Sequence, residues 1–198
     1  MMGKNKILPF IILAIYIILP IIIFYNESLF KYKFYILTIV GLLIYLILRI
    51  AKISNKELGI KKKDILKSIK RNLPIIIILI ILVLAFKILK FDKYTPNESI
   101  FFYLFYIFIS CPIQEFLYRG IFGYFEKNLI KNKFIIIILS SFCYSFVHII
   151  YKDLITCLLT FIFGFILYLL YKKDYNLFGV SITHIMLGIL TIYLGIIN

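Results

Sequence analysis

The chain has 198 residues, 63% of them hydrophobic and 18% aromatic, with a mean hydropathy of +1.03. A soluble core of this size buries far less apolar surface, so an ordinary soluble domain is excluded and a polytopic helical membrane protein is indicated. The formal charge of +14 lies in short clusters between apolar runs. That pattern speaks for anionic lipid headgroups and against nucleic acid as a partner.

Seven apolar runs are long enough, or nearly so, to cross a bilayer: 7–25, 34–50, 73–89, 99–121, 134–150, 154–171 and 176–197. Each is too long and too uniformly apolar for a barrel strand, so the expected fold class is all-α, a bundle of about seven transmembrane helices. The first run follows Lys4 and Lys6, exceeds a signal-peptide core in length and is followed by no small-residue cleavage site; it reads as a retained span. No Gly/Ser/Pro-rich linker and no fixed-period repeat divides the chain, so 1–198 reads as a single integral membrane domain.

Segment 51–72 is the one substantial stretch between spans. Ile65 and Ile69 stand at helical spacing among lysines, which fits either an amphipathic helix lying on the headgroups or a solvated connector. Ahead of the fourth run, Thr95, Pro96 and Glu98 suggest an N-cap, a first helical position and a capping partner. Pro112 is expected to kink that helix.

Sixteen of the 23 Lys and Arg (positions 4, 6, 49–71, 127–133, 172 and 173) fall on one side of the bundle. Six (31, 33, 87–93 and 152) fall on the other, and Arg119 lies within a span. The bias predicts a cytoplasmic N-terminus in a multi-pass protein of the cell membrane. Cys111, Cys143 and Cys157 sit within apolar runs and form no C-x-x-C pair, so they read as small buried residues.

The titratable residues at depth are Glu115, Arg119, His148 and His184, which include both histidines of the chain. Ionisable groups in a span cost at least a few kcal/mol each, so they face the protein interior and mark a candidate site. Two readings stand for each. Glu115 and Arg119 at i and i+4 pair along one face, as a structural ion pair or as part of a site. Each histidine is a satisfied core residue or a catalytic one.

The stretch "QEFLYRG" resembles the E-E-x-x-x-R motif of the CPBP family, the CAAX-protease and bacteriocin-processing intramembrane peptidases. "YSFVH", ending at His148, resembles the second motif, F-x-x-x-H, and "HIMLG", from His184 to Gly188, resembles the last, H-x-x-x-N. The resemblance covers about residues 99–190.

It implies an intramembrane endopeptidase that cuts a peptide or protein substrate, a prenylated C-terminus or a bacteriocin-like peptide among the candidates. In it a glutamate and the histidine at 148 activate water, the histidine at 184 and a following asparagine stabilise the oxyanion, and Arg119 holds the carboxylates. Gln114 stands where the first glutamate would be, Gly188 where the asparagine would be, and Tyr144 where the phenylalanine would be, a mild change. Glu115 is then the expected base, with Gln114 and Ser181 as candidate oxyanion donors.

A metal has the candidate ligands Glu115, His148 and His184, zinc being the natural ion. Hydrolysis also needs a base, and with one carboxylate at depth a metal-free mechanism is favoured. The alternative function is a catalytically degenerate relative, a membrane scaffold or bacteriocin immunity protein. A proton relay or small transporter is a third reading, without paired broken helices to support it.

Overall fold

The computed structural model describes residues 7–196; Lys4, Lys6 and the end of the last expected run at 197 lie outside it. All secondary structure of the described residues is helical, with no strand among them. In chain order the helices are α1 (Ile7–Tyr25), the short α2 (Glu27–Lys31), α3 (Lys33–Ile50) and α4 (Ile65–Ile88). The continuous α5 (Ile100–Asn128) follows, then α6 (Lys133–Phe146) with a 3₁₀ turn over Val147–Tyr151, α7 (Leu154–Lys172) and α8 (Leu177–Tyr193). Six of these runs are long and apolar enough to span a membrane, and α8 is a shorter apolar helix, in keeping with the expected polytopic bundle.

The inner helices are α5, α6, α7 and α8; α1, α3 and α4 turn large apolar side chains such as Ile18, Leu42 and Ile77 outward. Without water in the hydrocarbon, such side chains meet lipid at no cost. Helix starts follow local chemistry. Asn132, Asp153 and Asn176 each cap a helix by accepting a backbone N–H two or three residues on.

Three expectations change. α5 begins at Ile100 with Ser99 as its cap, accepting from the Phe102 amide at 3.3 Å, rather than at Pro96 with Thr95. The stretch before it is drawn onto the end of α8, where the Lys93 amide donates to the Gly195 carbonyl at 2.7 Å and the Tyr94 hydroxyl to the Ile192 carbonyl at 3.2 Å. The C-terminal part of the 51–72 segment, from Ile65 on, is absorbed into α4, and its Ser68 and Asn72 are buried, with Ser68 against Gly179 of α8. That face meets protein rather than headgroups. Finally, α5 continues past 121 to Asn128.

The reason for the last change is Glu126. Its carboxylate is buried and accepts the Tyr168 hydroxyl at 2.9 Å and the Tyr175 hydroxyl at 3.1 Å, with Lys172 Nζ at 3.2 Å. A paired acid can end a span inside the protein where an unpaired one could not.

Candidate active site

Pro112 has no N–H, and its ring crowds the carbonyl four residues back, so the α ladder cannot run through it. The chain answers with a π turn over Tyr106–Ser110, closed by the Cys111 amide on the Tyr106 carbonyl. A second π turn, Phe116–Gly120, is closed by Ile121 on Phe116. Such widened turns cluster at functional sites. Here they flank "CPIQE" on both sides, where the sequence suggested a simple kink. Side chains satisfy the backbone of the second one: Tyr16 donates to the Leu117 carbonyl at 2.8 Å, and Ser140 donates to that of Tyr118.

Because α5 is 29 residues long, Glu115 lies near its middle. His184 lies midway along α8, and His148 is carried in by the 3₁₀ turn after α6. Glu115 and His184 therefore both lie midway along their helices.

Glu115 is fully buried. One of its oxygens, Oε1, lies 2.6 Å from His184 Nδ1 and 3.2 Å from Arg119 Nη1. The arginine contact is a charge pairing without hydrogen-bond alignment, since Arg119 Nη1 and Nε have no acceptor, and Glu115 Oε2 also has no partner. Arg119 is otherwise placed by the Gly164 carbonyl, 3.3 Å from Nη2, and by the Tyr144 ring 4.3 Å from its guanidinium carbon. Gly164 matters here for space, since a Cβ on it would press into the Tyr144 ring.

The imidazoles follow from their partners. A carboxylate accepts only, so His184 Nδ1 carries the proton, and its Nε2 lies 3.0 Å from the Tyr144 hydroxyl. This makes a buried chain of carboxylate, imidazole and phenol. His148 Nδ1 lies 2.9 Å from the Tyr144 carbonyl, an acceptor only, which leaves the lone pair on Nε2. The Tyr144 ring stands between the two histidines, at centroid distances of 5.3 Å to His148 and 5.5 Å to His184. Replacing phenylalanine by tyrosine at 144 is therefore not a mild change: its hydroxyl caps His184.

Both imidazoles line one cavity of about 390 Å³, together with Gln114, Tyr106, Tyr144 and Gly188. The partly exposed Phe30, Lys33, Tyr94 and Glu98 line it as well. Glu115 is not on this wall; His184 stands between it and the space. The Gln114 amide nitrogen donates to Ser110 Oγ at 3.0 Å, leaving its second N–H. Ser181 is not on the wall.

Gly188 has a steric role. A Cβ there would overlap the Tyr106 hydroxyl, so a phenol occupies the space into which a longer residue would project. The Tyr106 ring stands edge-on to His184 at 6.2 Å. Tyr106, Lys33 and Glu98 were missed in the sequence because each reads as an ordinary span-end or aromatic residue; only their shared cavity distinguishes them.

The donor set does not make a three-ligand zinc centre. Glu115 Oε1 is shared by His184 and Arg119, His184 uses both nitrogens, and His148 has turned Nδ1 to the backbone. Among the described residues no three His, Cys, Asp or Glu side chains gather as metal ligands. The ligand trio Glu115, His148 and His184 therefore does not fit a zinc ion.

Residues 96–190, slightly under half of the chain, match the family model described as Type II CAAX prenyl endopeptidase Rce1-like. No curated protein and no solved structure matches the chain.

Proposed function

We propose, from the premise that residues 96–190 belong to the CAAX prenyl endopeptidase family, that the protein is an intramembrane endopeptidase whose water is activated by His148. The observation that carries this reading is that His148, with its Nε2 unprotonated, lines a cavity it shares with His184, Gln114 and the phenols of Tyr106 and Tyr144.

His148 Nε2 takes a proton from water, and the resulting hydroxide attacks the peptide carbonyl to form the new C–O bond. The charge developing on the carbonyl oxygen meets the free Gln114 N–H and the Tyr106 hydroxyl, the latter standing where Gly188 makes room. Collapse breaks the C–N bond, and the His148 imidazolium returns its proton to the leaving amine. Glu115 acts through His184: it fixes the tautomer that accepts the Tyr144 hydroxyl, and Arg119 supports both the carboxylate and the ring. These are positioning residues, so the role of base passes from Glu115 to His148.

The substrate is a peptide or protein C-terminus, prenylated in keeping with the family. The Lys and Arg bias supports a cytoplasmic N-terminus in a cell-membrane protein, an orientation in which Lys33 and Glu98 lie towards the outer side. The test is cleavage of a prenylated peptide by the purified chain in lipid nanodiscs. His148→Ala should lose roughly 10²–10⁴ in rate; unchanged cleavage rejects the reading.

A second reading has its own support. Gln114, His148 and His184 all have partners within the chain, as in a scaffold or immunity protein that has lost its chemistry. Absence of cleavage by the wild type, with cleavage gained in Gln114→Glu, would favour that reading.

A further inference from the structure

The wall of the cavity holds a cation that no carboxylate answers among the described residues. Lys33 is half-buried, lines the wall, and has no acidic group within ion-pair distance among the described residues. Its Nζ sits 3.9 Å from the centroid of the Phe30 ring, 5.2 Å from that of Phe34 and 5.4 Å from that of Tyr151. It is also the first residue of α3, the end where the helix dipole disfavours a positive charge. A lysine needed only for solubility would reach into water or headgroups. This one is held over aromatic faces inside the cavity, at an electrostatic cost. An anionic ligand would offset that cost.

The position relative to the chemistry narrows the ligand. The Tyr151 ring that flanks the ammonium also lies 6.0 Å from the His148 ring, so one aromatic ring separates the two groups. An extended peptide advances about 3.3 Å per residue. A carboxylate resting on Lys33 therefore brings a peptide bond two or three residues upstream to His148. Glu98, the acidic side chain on the same wall, has one oxygen buried without a partner and repels an anion, which leaves the ammonium as the anchoring element.

We propose that Lys33 binds the free C-terminal carboxylate of the substrate and so sets the distance from the chain end at which the bond is cut. This deepens the peptidase reading and rests on it. Lys33 is a specificity residue and does not touch the reacting atoms.

The probe is a fluorescent peptide ending in farnesyl-cysteine plus three residues, made as the free acid and as the C-terminal amide. Binding is measured to the full chain carrying His148→Ala, in phosphatidylcholine nanodiscs, so that nothing is cleaved. The acid should bind about ten- to a hundredfold more tightly than the amide, the range for one charge-assisted contact. Lys33→Met, which keeps the apolar stem on the rings, should erase that difference, and Lys33→Arg should retain most of it. Unaltered thermal unfolding of Lys33→Met shows that the loss is local.

Equal binding of acid and amide, a preference that survives Lys33→Met, or binding of neither peptide overturns the proposal. Cleavage of both peptides by the wild type at one rate would keep the peptidase reading while removing this one. Absence of cleavage with an acid preference intact would do the reverse.

Discussion

Glu115 and His184, on two different helices, are joined by a 2.6 Å contact between Oε1 and Nδ1, with both side chains buried. The bond decides more than its own geometry. It turns the carboxylate away from the cavity, sets the imidazole tautomer, and leaves Arg119 dependent on the same oxygen. Removing Glu115 would strand a guanidinium that has no exposure to solvent. Glu115→Ala should therefore cost about 3–5 kcal/mol of stability, seen as a large fall in thermal midpoint. Glu115→Leu combined with Arg119→Met should recover much of it. A Glu115→Ala protein as stable as the parent would show that Arg119 has another counterion.

Tyr144→Phe removes only the hydroxyl that caps His184 Nε2. Its ring contacts with Arg119 and both histidines persist, so the fold should hold. The catalytic rate should fall roughly ten- to a hundredfold with KM little changed, the range for groups that orient others. Steady-state kinetics on a cleaved peptide separates this from a loss of binding, which would raise KM instead.

Gly188→Ala drives a methyl into the Tyr106 hydroxyl. The overpacking should cost about 1–3 kcal/mol. Tyr106→Ala opens that space, so the pair should be coupled by about 0.5–3 kcal/mol in a double-mutant cycle of thermal unfolding. Additive effects would mean that the two residues do not share the space.

Outside the spans, Asp153 caps α7 and pairs with Lys93 and Thr156. Burial pushes its carboxyl pKa up, but the bonds from Lys93, Thr156 and the Ile155 amide outweigh this and hold it below the usual value. A depressed carboxylate stabilises the fold above its unfolded pKa, near 3.9, and that contribution fades as pH falls through the lower folded value. The thermal midpoint should therefore drop on acidification below about pH 4, and Asp153→Asn, which keeps the cap, should flatten that limb. An identical acid limb in the variant would remove Asp153 from the cause.

Much of this architecture was legible in the sequence. The apolar runs placed the spans because lipid demands length and continuity of apolar side chains, and these are local properties. The end of α5 was not legible. Glu126 reads as a terminus until Tyr168, Tyr175 and Lys172 are seen to pair it, and those lie more than forty positions away along the chain. The same holds at the site. Expense in lipid singled out Glu115, Arg119, His148 and His184, but which of the two His184 nitrogens met Glu115 depended on how α8 faces α5. The pairing of Gly188 with Tyr106 joins a missing side chain to a phenol on another helix, and residue spacing carries no trace of it.

The most direct test is hydrolysis of a prenylated peptide in ¹⁸O-labelled water, with the new carboxyl group read by mass spectrometry. The wild type should place a single ¹⁸O in the exposed carboxylate, and His148→Ala should yield almost no product. Undiminished product from His148→Ala would contradict His148 as the group that activates water.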